Sequence, residues 1–157
     1  MLFRSASARN PLWFDLLAAT ALAALVGAVY APVADHQFLL LDDPQCVTDN
    51  PYTASGLSVQ GLYWALTTFH FWNWHPLTWL SFQCDATLYH FEDGLWAGGF
   101  HGTNVALHAA GVVFLYLFLR SATGRPGAAA AAAAIYAVHP FHVQSVAWIA
   151  ERKGILS

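Results

Sequence analysis

The run LWFDLLAATALAALVGAVYA, Leu12 to Ala31, decides what kind of molecule this is. Its 20 residues, at about 1.5 Å of helical rise each, reach across the ~30 Å hydrocarbon core of a bilayer. Asp15 lies near its entrance, where the carboxylate can reach the headgroups and face Arg9. A second run, AGGFHGTNVALHAAGVVFLYLFL (Ala97 to Leu119), has the same dimensions and stops at Arg120. A third, AAAAAAAIYAV (Ala128 to Val138), meets His139-Pro140 after only about 16 Å of helix. The third span is therefore expected to continue through the proline to about Ala150, or to stop partway and turn. A basic start and a small residue before Pro32 also suit a secretory signal. The run is longer than a signal's apolar core, and proline makes a poor cleavage site, so it reads as an uncleaved anchor.

Composition agrees with a membrane chain. Hydrophobic residues make up 57% and charged residues 10%, with a mean hydropathy of +0.45; globular domains carry roughly 25% charge. The six basic residues are Arg4, Arg9, Arg120, Arg125, Arg152 and Lys153. None falls between Arg9 and Arg120, where seven acidic residues lie from Asp35 to Asp93. With no basic footprint, nucleic acid is excluded as a partner. By the positive-inside rule the Arg4/Arg9 and Arg120/Arg125 ends belong on the cytoplasmic side. Residues 32–96 then form an outer loop, and Arg152 and Lys153 also lie outside, against the rule. The expected fold class is an all-α integral membrane protein with spans at about 12–31, 97–119 and 128–150.

The outer loop is too long to be a bare connection. SGLSVQGLYWALTTF (Ser55 to Phe69) is broadly helical in period. HPLTWLSFQCDATLYHF (His75 to Phe91) begins with proline at a plausible first helical position. In the second helix Leu77, Leu80, Cys84 and Leu88 share one apolar face. Five tryptophans, at 64, 72, 74, 79 and 96, place this loop along the outer membrane surface. Cys46 and Cys84 both lie in this loop, where an oxidising exterior permits a disulfide; they read either as that pair or as two unpaired thiols.

Polar residues in apolar surroundings are the candidates for function. Asp42 and Asp43, in FLLLDDPQCVTDNP, have no neighbouring Lys or Arg. They read either as a solvated turn or as a carboxylate pair. A pair would raise one apparent pKa and suit a general base, or would hold a divalent cation through oxygen ligands. His101, Asn104 and His108 share a face of the second span and either bond between helices or line a site. His139 and His142, three apart, follow the break at the end of the third run. Arg152 and Lys153 either grip a phosphate or anchor at lipid headgroups. The Cys/His set is too thin for a structural zinc site.

LLLDDPQCVTDNP, HPLTWLSF, HGTNVALH and AVHPFHVQSVAWIAERKGILS, in that order and spacing, resemble one family. It comprises the transmembrane and tetratricopeptide-repeat proteins, that is, the TMTC-like O-mannosyltransferases and their bacterial relatives. The resemblance runs from about Leu12 to Ser157 and implies a GT-C-like membrane enzyme using a polyprenyl-phosphate sugar. It implies Asp42 and Asp43 as catalytic, one taking the proton of an acceptor Ser or Thr hydroxyl. His101, His139, His142, Arg152 and Lys153 become expected substrate-binding residues. The implied partners are membrane lipid, the lipid-linked donor and an acceptor protein, and the implied location is a bacterial inner membrane with the acidic loop outside. No cofactor is implied beyond the divalent-cation alternative. Relatives often carry Glu at Gln144 and Asp at Gly154, which puts a metal site there in doubt. The resemblance also implies further spans and repeats, so the chain reads as an N-terminal fragment, not expected to catalyse alone. Two other functions fit the residues: a non-catalytic membrane anchor of a repeat scaffold, and a transporter using intramembrane histidines. The acids sit at one surface, which counts against transport.

Overall fold

A computed structural model describes residues 12–156; Arg4 and Arg9, on which the orientation partly rests, lie outside them. Helix α1 (Leu12–Tyr30) tightens into a 3₁₀ segment, Ala31–Asp35, at Pro32. Short helices α2 (Pro51–Ala54), α3 (Val59–Thr67) and α4 (Pro76–Leu88) build the loop. A two-residue antiparallel ribbon, β1 (His90–Phe91) with β2 (Gly94–Leu95), then leads into the long α5 (Ala97–Thr123). The chain returns through α6 (Pro126–Ala137), α7 (Phe141–Ala147), a 3₁₀ turn at Ile149–Arg152 and α8 (Lys153–Leu156).

Local chemistry sets these boundaries. Ser58 caps α3 by accepting a hydrogen bond from the Gly61 amide at 2.9 Å, and Asn50 caps α2 through the Tyr52 amide at 3.0 Å. Pro76 occupies the first turn of α4, where its missing N–H costs nothing. Gly124, at φ +66°, ends α5 in the left-handed conformation that glycine adopts without penalty.

The core has two tiers. In the lower one, Leu22, Val26 and Tyr30 of α1 meet Val112 and Tyr116 of α5 and Ala129, Ala133 and Ala137 of α6. Alanines four apart let α6 approach α5 closely, so dispersion contacts replace bulky side chains. In the upper tier Val47, Trp79, Phe82 and Phe100 pack with Ile149 and Ala150. Tyr89 lies against Gly99, in the space a Cβ would occupy, so a side chain at 99 would push the ribbon off α5.

Two helical segments, Leu12–Asp35 and Ala97–Thr123, are long and apolar enough to cross a membrane. Leu12, Leu16, Leu17, Phe114 and Phe118 on them are exposed, a pattern that water would penalise and lipid would not. α1 also supplies Leu22, Val26 and Tyr30 to the core of the bundle. Asp15 pairs with Arg120, at 2.5 Å, and accepts a hydrogen bond from the Tyr116 hydroxyl at 2.7 Å; its expected neighbour Arg9 lies outside the described residues. The Asp15–Arg120 pairing sets the start of α1 beside the end of α5, so the two run antiparallel.

Of the two courses open to the third run, the chain takes the second, so the span expected at about 128–150 is not continuous. α6 stops at Ala137, about 18 Å long, and the chain breaks at His139-Pro140 before α7. His108 Nε2 donates to the Ala137 carbonyl at 3.1 Å, and Asn104 Nδ2 to those of Val146 and Trp148 at 3.2 and 3.3 Å. Four residues of α5, about 6 Å, thus match nine residues of chain, so α7 crosses the bundle obliquely. The helix ends freed by the break are satisfied by side chains of α5. In α4, Leu77 and Leu88 point outward, 64% and 66% exposed, with Cys84 exposed too, while Leu80 of the same face packs partly against the upper core. The inward face carries Thr78, Trp79, Phe82, Gln83, Asp85 and Ala86. Polar groups paired inside, as Gln83 Nε2 is with the Gly61 carbonyl and Asp85 with Arg152, and exposed leucines outside are the order an apolar surrounding favours.

Candidate functional site

The acidic pair is divided by the fold. After the exposed Leu39-Leu40-Leu41, the chain enters a π-helical turn at Pro44–Thr48. That turn rotates Asp43 inward to 0% exposure. Its Oδ2 accepts from the Leu39 amide at 2.8 Å and its Oδ1 from the Ala150 amide at 2.9 Å. Burial raises the Asp43 carboxyl above the usual range, the two amides oppose that, and the nearby Asp42 charge adds to it. Asp43 therefore joins the start of the loop to the 3₁₀ turn at Ile149–Arg152, and each of its oxygens accepts a backbone amide. That geometry fits neither a free general base nor a cation ligand.

Asp42 keeps partial exposure and opens onto a cleft lined also by Cys46, Asn73, His75, Thr78 and Lys153. Its enclosed space is about 30 Å³, close to one water molecule's share of liquid volume. The cleft continues into an open depression of about 210 Å³ that shares His75, Thr78 and Lys153 and adds Trp74 and Leu77. Burial first, then the Asp42 and Asp43 charges, push the Cys46 thiol up to about 12, so this cysteine stays protonated and is no nucleophile. The segment before α4 is bent to serve the cleft: Phe71 and Trp72 hold φ of 56° and 63°. Left-handed conformations are costly for aromatic residues and gather where a site over-determines the backbone. Here the bend brings Phe71 and Asn73 to the cleft wall.

Lys153 is half-exposed and paired with Glu151 at 3.0 Å. Its neighbour is placed otherwise. Arg152 is 0% exposed, and every nitrogen of its guanidinium is engaged. Nε donates to Asn104 Oδ1 at 2.5 Å, Nη1 to Ser81 Oγ at 3.1 Å and Nη2 to the Phe100 carbonyl at 2.9 Å. Nη2 also pairs with Asp85 at 2.6 Å, and the group lies over the Phe82 ring. With the group fully buried and four of its five N–H donors taken, the expected phosphate grip of Arg152 has no exposed donor here, and headgroup anchoring has no open surface. The residue instead joins α4, α5 and the final 3₁₀ turn.

The histidines lie away from the cleft. His101 is buried in α5 with its ring 5.8 Å from and perpendicular to that of His36. His142 packs between Tyr136 and His108, with ring centroids 4.1 and 5.2 Å apart, and His139 stacks on Phe141. Arg152 meets α5 at Phe100 and Asn104, eight and four residues from His108, so this group sits about 6–12 Å along α5 from those contacts. Of the expected residues, the fold thus brings together Asp42 and Lys153 at the cleft, with Asp43 behind them. No group of three or more His, Cys, Asp or Glu able to hold a metal ion occurs among the described residues.

Three contributors were not legible in the sequence. His75 and Asn73 reach the cleft through the left-handed turn, which no residue type at 71 or 72 announces. Asp85 lies in what reads as a surface helix; only its isolation from other charges within α4 hinted at a distant partner.

No family model matches the chain, and no solved structure matches it. Curated relatives do. The chain is 33% identical over 85 residues, 54% of its length, to protein O-mannosyl-transferase Tmtc1 of Drosophila melanogaster. It is 29% and 28% identical over 128 residues, 74% of its length, to protein O-mannosyl-transferase TMTC1 of Mus musculus and of Homo sapiens. It spans only 9%, 13% and 14% of those proteins. The sequence is thus related, weakly and over part of its length, to the TMTC1-type protein O-mannosyl-transferases.

Proposed function

We propose that this chain forms part of a multi-pass membrane glycosyltransferase of GT-C type. It moves a sugar from a polyprenyl-phosphate donor to a Ser or Thr hydroxyl of an acceptor protein, on the outer side of a bacterial inner membrane. The observation that carries this reading is the Asp42 cleft, a partly exposed carboxylate sharing one groove with the Lys153 ammonium in a chain akin to O-mannosyl-transferases. Asp42 accepts the acceptor hydroxyl's proton as oxygen attacks the anomeric carbon. The donor's phosphate leaves with the electrons of the broken C–O bond, and Lys153 and His75 stabilise its charge. Asp43 holds the loop against Ala150, so that Asp42 and Lys153 face the same space. His101 on α5, His142 of α7 packed on His108, and His139 beside it mark the side of the bundle where the donor would bind. The enclosed part of the cleft is too small for a hexose, so the sugar occupies the open depression.

In the full-length protein, Asp42→Asn is expected to cut transfer by about 10²–10⁴-fold, measured with a lipid-linked mannose donor and an acceptor peptide. Stability should be unchanged. Wild-type rates from this variant would favour a second reading that the narrow cleft also suits, a non-catalytic membrane anchor for a repeat scaffold.

A further inference from the structure

The π-helical turn that presents Asp42 and Cys46 to the cleft presents Gln45 and Asp49 to a different recess. That recess has a volume of about 340 Å³ and is walled by Tyr52, Trp64 and His70, at the lower end of the ~300–1,000 Å³ typical of small-molecule sites. Tyr52 and Trp64 stack with ring centroids 5.0 Å apart and planes within 10°. Tyr52 is exposed while Trp64 is half-buried beneath it, so the pair offers one flat, rigid aromatic face. Around it stand polar groups with capacity to spare. Asp49 uses one oxygen to accept from the Thr48 hydroxyl at 3.2 Å. His70 Nε2 faces the Gln45 carbonyl at 3.2 Å, which leaves the Gln45 side-chain amide free for other partners.

The lining selects a ligand class. Among the described residues neither Lys nor Arg borders the recess, and the Asp49 carboxylate repels anions, so phosphate and carboxylate ligands are disfavoured. A single carboxylate is too little for a hard cation. An extended peptide would want a free strand edge, and the recess is built from helices and turns. What fits is a neutral ring with one apolar face and hydroxyls at its rim. The C–H face rests on an aromatic plane, and the hydroxyls reach carboxylate and amide groups. We infer that this recess is a binding site for a neutral pyranoside, separate from the Asp42 cleft on the other side of the same turn.

Saturation-transfer NMR on the chain in detergent micelles, with methyl α-mannopyranoside and methyl β-glucopyranoside as probes, tests the assignment. Saturable binding of at least one is expected, with a Kd of about a millimolar. Tyr52→Ala should weaken it by about tenfold, Asp49→Asn should weaken it too, and N-acetylneuraminate, a charged sugar, should not bind. Asp42→Asn should leave the binding intact, so this site and the transfer reaction are read separately. Displacement by an O-glycosylated peptide would place the sugar on an acceptor, and displacement by a polyprenyl-phosphate sugar would place it on a donor; either supports the site. No saturable binding, binding unaffected by Tyr52→Ala, equal binding of N-acetylneuraminate, or displacement by an unglycosylated Ser/Thr peptide would each overturn it.

Discussion

Two adjacent aspartates of identical chemistry do different jobs because one π-helical turn points them apart. Burial holds the Asp43 carboxyl above its ordinary 3.8, so the folded chain retains that proton more tightly than the unfolded one. The resulting stability is full below about pH 3.8 and is lost as pH rises through the raised value. Asp43→Asn should remove this pH dependence. It should also lower stability by about 1–3 kcal/mol, because the amide's NH₂ must face a backbone N–H and leave one of Leu39 or Ala150 unpaired. Denaturation in detergent between about pH 4 and 8 measures both effects. If Asp43→Asn instead abolished transfer in the full-length protein with stability untouched, Asp43 and not Asp42 would be the base.

Between elements, the decisive contact is Arg152. Three segments that share no local sequence, α4, α5 and the final 3₁₀ turn, meet at one guanidinium through Asp85, Ser81, Asn104 and the Phe100 carbonyl. A buried pair of this kind is weak evidence of net stabilisation, but removing one partner strands the other charge at a cost of about 3–5 kcal/mol. Arg152→Gln should therefore lose about that much in chemical denaturation, and adding Asp85→Asn should restore a large part. Unchanged stability with a raised KM for the lipid donor would instead return Arg152 to the phosphate. The outward Leu77 and Leu88 of α4 belong to this scale as well. Helical period identified the face correctly, and only the surroundings decide whether such a face points in or out.

Across the whole molecule, the Asp15–Arg120 pair puts the start of α1 and the end of α5 at one end, opposite the loop and its cleft. With the basic residues on the cytoplasmic side, the ribbon between β1 and β2 is expected outside. In a Cys84→Ser background, Glu92→Cys should react with an impermeant maleimide added to intact cells. Ser121→Cys should react only after permeabilisation. Both positions are exposed, and Cys46 is buried, so background labelling is low. The reverse pattern would put the cleft on the wrong side for a lipid-linked donor.

The helical make-up, the helix starts and the two runs long and apolar enough to cross a membrane were legible in the sequence, because each depends on local quantities. Run length sets a span, and Pro76 and Ser58 set helix starts. Side-chain destinations depend on partners far along the chain, and there sequence reasoning fell short. Arg152 reads as a surface cation until Asp85, 67 positions earlier, is found beside it. Asp43 reads as half of a catalytic pair until the Ala150 amide, 107 residues away, takes one of its oxygens. A buried charge is tolerated only where an opposite charge or a donor awaits it. Whether one awaits is a property of the packed chain, so tertiary structure alone decided which of these polar residues face the cleft and which hold it together.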